Sequence, residues 1–476
     1  MKLKHILSIG LLSSTFILSA QTNQEILQLI NQEVQSNSQA YALLKSATET
    51  IGHRMTGTEN GKKAEELAAS IFSKYGYEVE FQEFKFKGWE RENLDLSIAG
   101  VPLKAVALAH SPAEAKLSGE LIYLGNGLET DYQKLGDKVK GKVVFAALGL
   151  VDGTAKEVKN LHRSEKTALA KKYGAKGIIL YNQAKNGILL TGTASVTGNI
   201  IDIPAINISY EDGMKWSEVL QSKSLPVVIS MSNKIEDVTA RNVIARLKGS
   251  DVSEKIVLGG HLDSWDLATG AIDNGVGSFS ILDIARTYKK LNLKNKRTIE
   301  FVLFMGEEIG LLGSKHYVNE AMKDGSIKEI VAMSNMDMTI NPKTYFATMD
   351  SGLALLDGIS NDVKKYISNF SVKSTKNLGL HSDHQPFMLQ GVPIIGLGQS
   401  QFLPGALDCY HADCDVMKYV EEDGLKNNVL LETYLLYRLS NEDNLPVKPW
   451  DEKAIEENLK SANLETPLRI SGEWRW

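Results

Sequence analysis

The stretch Gly259-Gly260-His261-Leu262-Asp263-Ser264-Trp265-Asp266, followed by Ala271-Ile272-Asp273-Asn274-Gly275-Val276-Gly277, decides how this chain is read. Before it, Lys255-Ile256-Val257-Leu258 is a short apolar run that predicts a buried strand. After it, Phe279 to Lys289 carries Ile281, Ile284, Ala285 and Tyr288 at helical spacing. A strand that runs into His-x-Asp, then a glycine-rich loop that ends in Asp-Asn-Gly, sets three titratable groups at the carboxyl end of a sheet. Open α/β sheets hold their ligands there. The stretch therefore predicts the first half of a metal site.

Working outward, 476 residues allow more than one domain and a large core. The net charge of -5 offers no electrostatic basis for binding nucleic acid or an anionic membrane. Lys2, Lys4 and His5, the apolar run Ile6 to Leu18 and the small pair Ser19-Ala20 predict a signal peptide over residues 1–20, cut after Ala20. No later apolar stretch reaches transmembrane length, so the mature chain is expected to be exported, either secreted or periplasmic. Cys409 and Cys414 are the two cysteines and flank His411. A bridge, free thiols and metal ligation are all open, with a bridge or inert thiols favoured over ligation.

Along the chain, residues 21–37 predict a short amphipathic helix, either a pro-segment or the first helix of the fold. Helices are expected at Tyr41 to Ile51 and Lys62 to Tyr75, and a strand at Glu78 to Phe86. From Ser97 the character changes to short β-like runs, at 120–124, 142–146, 177–181, 203–208 and 226–230, with one helix near 164–173. This part has no cluster of His, Asp and Glu at ligand spacing, and residues 97–235 are expected to form an inserted module outside the chemistry. The α/β pattern resumes at Thr239 to Leu247. The expected α/β domain is therefore discontinuous, 38–96 and 236–445. Residues 446–476 are read as a surface-docked tail.

Five candidate metal ligands fall at strand ends or in adjoining loops: His261, Asp273, Glu308, Asp337 and His411. Imidazoles mixed with carboxylates suit zinc, with manganese or cobalt as weaker fits. Five ligands exceed what one tetrahedral zinc needs and suffice for two ions if one carboxylate bridges. Glu307 and Glu308 point in different directions in an extended or turning segment, so one can ligate while the other faces a water as general base. Asp263, two residues after His261, suits a carboxylate that orients the histidine.

His261-Leu262-Asp263-Ser264-Trp265, Asp273-Asn274-Gly275, Gly306-Glu307-Glu308-Ile309-Gly310-Leu311-Leu312-Gly313-Ser314, Asn335-Met336-Asp337, Ser382-Asp383-His384-Gln385-Pro386-Phe387 and Tyr410-His411 with Asp415 resemble the co-catalytic zinc exopeptidases. The His-Leu-Asp-Ser-Trp-Asp string looks most like the plasma glutamate carboxypeptidase branch of that family. Gly141 to Val144, Ala168 to Gly177 and Ile203-Pro204-Ala205 resemble a protease-associated domain. The resemblance implies an α/β fold, a mixed central sheet with helices on both faces, plus the inserted, mostly β domain. It implies two Zn2+ per chain, with Asp273 bridging them. His261 and Asp337 would complete one site, and Glu308 and His411 the other. Glu307 would be the general base, with Asp263 and Asp415 as supporting residues. Asp383 and His384 match a substrate-pocket segment.

The expected function is hydrolysis of dipeptides or short peptides by zinc-activated water, with carboxypeptidase or dipeptidase activity favoured. The alternative is an aminopeptidase. A more remote one is a non-catalytic binding protein on the same fold, which would be expected to have lost ligands or base. The expected partner is a peptide substrate, with neither nucleic acid nor membrane involved; a homodimer is open.

Overall fold

A computed structural model describes residues 21–476; the expected signal peptide lies outside the described residues. The strand expected at residues 255–258 runs over Asp251–His261. Arg297–Phe304 and Ile330–Asn335 flank it on either side, both parallel to it. His261 stands opposite Phe304 and Gly259 opposite Asn335, so the three strands finish together. That shared edge is why His261, the Glu307-Glu308 pair and Asp337, distant in sequence, emerge at one place.

Every residue of Arg297–Phe304 is buried. Ile299, Phe301 and Leu303 enter one core cluster, and Val302 and Phe304 enter another. This is the period-two alternation of a strand covered on both faces. The first cluster is built with the helices Asn23–Asn37, Ala40–Thr50, Val276–Leu291 and Glu422–Asn441. The second takes Tyr317 and Val318 of Leu312–Asp324, with Ile455, Leu459 and Leu468 of the C-terminal helices Glu452–Ser461 and Glu465–Ser471. The first helix buries Ile26, Leu27, Ile30 and Val34 in the core. It begins with a capping box in which Thr22 and Glu25 satisfy each other's backbone N–H.

The runs expected as separate strands near residues 78–86, 226–230 and 239–247 fuse into two long ones, Val79–Ile98 and Leu225–Leu247. They pair antiparallel from Val79 opposite Ala245 to Ile98 opposite Val227. Beside the buried Trp89 they carry largely polar, partly exposed stretches at 90–93 and 234–237, tied across by Lys234–Glu90 and Lys87–Asp237, both at 2.8 Å. The hydrophobic signal that marks a strand is absent there, and the pattern breaks although the backbone does not. Leu225–Leu247 pairs with Arg297–Phe304 at one end and Glu114–Gly125 at the other. One eleven-stranded sheet therefore runs on through Val143–Ala147, Gly177–Tyr181 and Ala205–Ile208. Val143 and Phe145 face one core cluster there, and Val144 and Ala146 another.

A separate three-stranded sheet, with Thr344–Ala347 between Thr375–Lys376 and Ile395–Gly398, leads into the loop that carries His411. Cys409 and Cys414 are joined as a disulfide around that histidine. Among the described residues, no helix is long and apolar enough to cross a membrane.

Candidate active site

His261 is buried and closes its strand. Its Nδ1–H donates to the Asp263 carbonyl at 3.1 Å, which fixes the tautomer and leaves Nε2 as the ligating atom. Nε2 lies 3.2 Å from Asp273 Oδ1 and 3.3 Å from Asp337 Oδ1. The other oxygen of Asp273, Oδ2, lies 3.0 Å from His411 Nε2, which is in turn 3.0 Å from Glu308 Oε2. The five residues expected as ligands therefore gather in two groups that share Asp273. The ligand atoms of His261, Asp273 and Glu308 all lie within 4.8 Å of one another. Glu308 Oε1 is buried and has no hydrogen-bond partner. An orphaned carboxylate oxygen beside two imidazoles and two further carboxylates is a donor set that fits zinc.

The backbone around this cluster is tightly specified. A Cβ on Gly277 would lie 2.1 Å from the Met336 carbonyl, and one on Gly260 would lie 2.5 Å from it, so both strand end and helix start need glycine. His411 is held at φ 55, a left-handed conformation that a non-glycine residue adopts at a cost. Asn274 ties the parts together, donating to the Met336 carbonyl at 2.7 Å and accepting from the N–H groups of Gly277 and Met338. Asp415 accepts from the N–H groups of Ile272 at 2.7 Å and Asp273 at 3.0 Å. Ser382 donates to Asp337 Oδ2 at 2.6 Å. Asp263 accepts from Thr56 Oγ1 at 2.8 Å and from the Glu307 N–H at 3.4 Å, so it links the histidine's loop to the Glu307 segment.

Burial strains the charges here. It pushes Glu308 well above the usual carboxylate range, with Asp273 adding repulsion, and Glu307 likewise. Burial works against charge on His261, yet Glu307 and Asp337 outweigh it and raise the imidazole. Burial would also raise Asp273, but hydrogen bonds from His261 and His411 hold it below the usual range. Burial, then Arg163, lowers His411, which favours the neutral ring that a metal needs. A cation among these carboxylates relieves their repulsion.

Asp273, Glu307, Glu308, Asp337 and His411 line one cavity of about 110 Å3. Asp383 and His384 are not among its lining residues. Asp383 is fully buried with neither oxygen hydrogen-bonded, and His384 faces a neighbouring cavity with Nε2 3.1 Å from the Gly379 carbonyl. Arg54 is also structural, donating to the carbonyls of Leu262, Thr269 and Gly270.

The cavity also takes walls from places where sequence spacing gave no signal. His162, Arg163 and Glu165 reach it from the helix start at Arg163–Lys172, and Leu468, Ser471 and Glu473 reach it from the C-terminal end. The 97–235 segment thus contributes to the site, and the tail is more than a surface cover. His162-Arg163-Ser164-Glu165 is an ordinary helix start in sequence; only long-range packing reveals its role.

Residues 242–435 match Peptidase family M28, and residues 117–216 match the PA domain. The chain is 26% identical over 441 residues to aminopeptidase YwaD of Bacillus subtilis, covering 89% of this chain and 88% of that one. It is 32% identical over 338 residues to leucine aminopeptidase 2 of Trichophyton rubrum, covering 67% of this chain and 63% of that protein. The solved structure of BSAP, a zinc aminopeptidase from Bacillus subtilis, superposes with a TM-score of 0.64 at 25% identity, covering 87% of this chain and 97% of that one. These relatives carry the aminopeptidase name, where the sequence reading leaned to carboxypeptidase. The chain belongs to peptidase family M28, a family of zinc metallo-exopeptidases, and carries a PA domain.

Proposed function

We propose that the protein is an exported aminopeptidase with two zinc ions per chain, acting on short peptides. The observation that carries the dinuclear reading is Asp273: one oxygen meets His261, which also meets Asp337, and the other meets His411, which also meets Glu308. A carboxylate placed between two such groups suits a bridge. The aminopeptidase reading rests on the likeness to the aminopeptidases named above, with secretion resting on the leader sequence.

His261, Asp273 and Asp337 would hold one ion, and His411, Asp273 and Glu308 the other. Zinc, when bound, polarises the scissile carbonyl and acidifies the attacking water. Glu307 takes the proton from that water and returns it to the leaving amine. Half-buried beside the cluster, it lines the same cavity as the candidate ligands, where its carboxylate is within reach of a water held there. Asp263 positions both Glu307, through its backbone N–H, and the His261 ring.

Elemental analysis of purified protein should return two zinc ions per chain, and N-acetylation of a dipeptide substrate should abolish turnover. A single ion per chain would remove the bridging role of Asp273. Undiminished hydrolysis of N-acetylated peptides would sink the aminopeptidase reading and restore carboxypeptidase action.

A further inference from the structure

We infer that Arg163 forms a carboxylate subsite, which makes short peptides with a free C-terminal carboxylate the preferred substrates. The inference deepens the exopeptidase reading and rests on the cavity being its substrate site.

One arginine and one lysine line the cavity, Arg163 and Lys315. Lys315 is already paired with Glu473 at 3.2 Å. Arg163 is 5% exposed, yet no carboxylate lies within ion-pair distance of it among the described residues. Its Nη1 meets the neutral ring of His162 at Nε2, 2.9 Å away, and its Nε is buried with no partner. The neighbouring acid, Glu165, is committed elsewhere: it accepts from the His162 N–H at 2.8 Å and lies 3.2 Å from His381 Nε2. A buried guanidinium left without an anion is costly unless an anion arrives.

The surroundings are shaped to keep this side chain in place. Gly192 approaches so closely that a Cβ there would lie 2.4 Å from Arg163 Nη1. The Tyr410 ring lies 5.8 Å from the guanidinium, and Tyr410 stacks on His411 with centroids 3.8 Å apart. Arg163 is thus one aromatic ring away from a candidate zinc ligand. Arg163 lines the same cavity as Asp273, Glu308 and His411, and the anion we seat on it is the α-carboxylate of the amino acid on the leaving side of the scissile bond. Guanidinium pairs with carboxylate through two parallel hydrogen bonds, which gives orientation as well as attraction. The helix Glu465–Ser471, packed against the helix that carries Arg163, adds Leu468 and Ser471 to the cavity wall beside it, which favours a short chain over one that continues.

The test compares Ala-Leu, its C-terminal amide Ala-Leu-NH2 and the N-acetyl forms of both, on the zinc-loaded wild type. The acid is expected to exceed the amide in kcat/KM by about 10- to 100-fold, mostly through KM, as for a lost hydrogen bond to a charged group. In Arg163→Met the acid-to-amide ratio should collapse towards unity, and in Arg163→Lys it should fall to an intermediate value. A wild-type ratio near one overturns the subsite whatever the variants do, and so does an unchanged ratio in Arg163→Met. A further pair, Ala-Glu-NH2 and Ala-Gln-NH2, separates the anion's source: preference for the glutamate side chain with indifference to the C-terminal acid overturns the proposal. If only N-acetylated peptides turn over, the aminopeptidase reading fails, and the acid-to-amide ratio is read on those instead.

Discussion

Asp415→Asn isolates the support beneath the shared ligand. Asp415 is 4% exposed, and its two oxygens accept one N–H each, from Ile272 at 2.7 Å and Asp273 at 3.0 Å. Burial pushes its carboxyl up to about 6, so it is anionic at neutral pH. Asparagine keeps the shape but turns one acceptor into a donor that faces an N–H. A hydrogen bond to a charged group contributes about 1.5–3 kcal/mol. If the loss falls on the placement of Asp273, zinc affinity drops by roughly 10- to 150-fold at 1.4 kcal/mol per tenfold. Groups that orient metal ligands have effects of this size in other metal sites. Competition with a fluorescent zinc chelator reads the affinity, and melting of the metal-free protein reads the fold. Zinc affinity within about twofold of wild type, with a lower melting temperature in the metal-free form, would show that Asp415 braces the chain and does not tune the site.

Glu307→Gln should retain its zinc by elemental analysis and lose about 10²- to 10⁴-fold in kcat; full activity would exclude Glu307 as the base. Glu432 is fully buried, neither of its oxygens has a hydrogen-bond partner, and burial pushes it from 4.5 up to about 7. The folded state therefore binds the extra proton between those values, and wild-type stability should fall as pH rises through that window, by about 3 kcal/mol in all. Glu432→Gln should match wild type below pH 4.5 and melt higher above pH 7; an identical pH profile refutes the assignment. Replacing both Cys409 and Cys414 by serine opens the five-residue link around His411. It should cost about 2 kcal/mol of stability and weaken zinc binding, and reductant should do the same to wild type.

The gathering of the five candidate ligands was legible because chemistry constrains such residues locally. A histidine at the end of a buried strand, an Asp-Asn-Gly turn and a Glu-Glu pair after the next strand each leave a mark in sequence, and parallel pairing places them together. The long strands Val79–Ile98 and Leu225–Leu247 were harder to see, since the largely polar stretches at 90–93 and 234–237 interrupt the apolar alternation that would mark them. Asp383 and His384 sit in a motif beside Ser382, which does touch Asp337. Neighbours in a short helix start point different ways, so the motif did not carry its residues into the cavity. The disulfide needed only proximity, and the tight loop supplies it.

The parts of the site that sequence did not reveal share a physical cause. Catalytic ligands must meet a metal within a few tenths of an ångström, so their residue types and spacing are restricted. The cavity wall only has to be in the right place with the right charge, and packing far away can put it there. Lys166 shows how. It is fully buried, and its Nζ donates to the carbonyls of Ala147, Leu148 and Gly149 at 2.7, 2.9 and 3.0 Å. That anchor sets the helix Arg163–Lys172 against the strand end at Ala147, and so fixes where Arg163 enters the cleft. The M28-matched residues 242–435 contain all five candidate ligands and the base, whereas Arg163 and Glu473 lie outside them. On the proposed reading, bond cleavage then falls to one segment, and the limits on what fits to two others. Selection can alter substrate length or end-group preference through the insertion and the tail while leaving the cluster untouched.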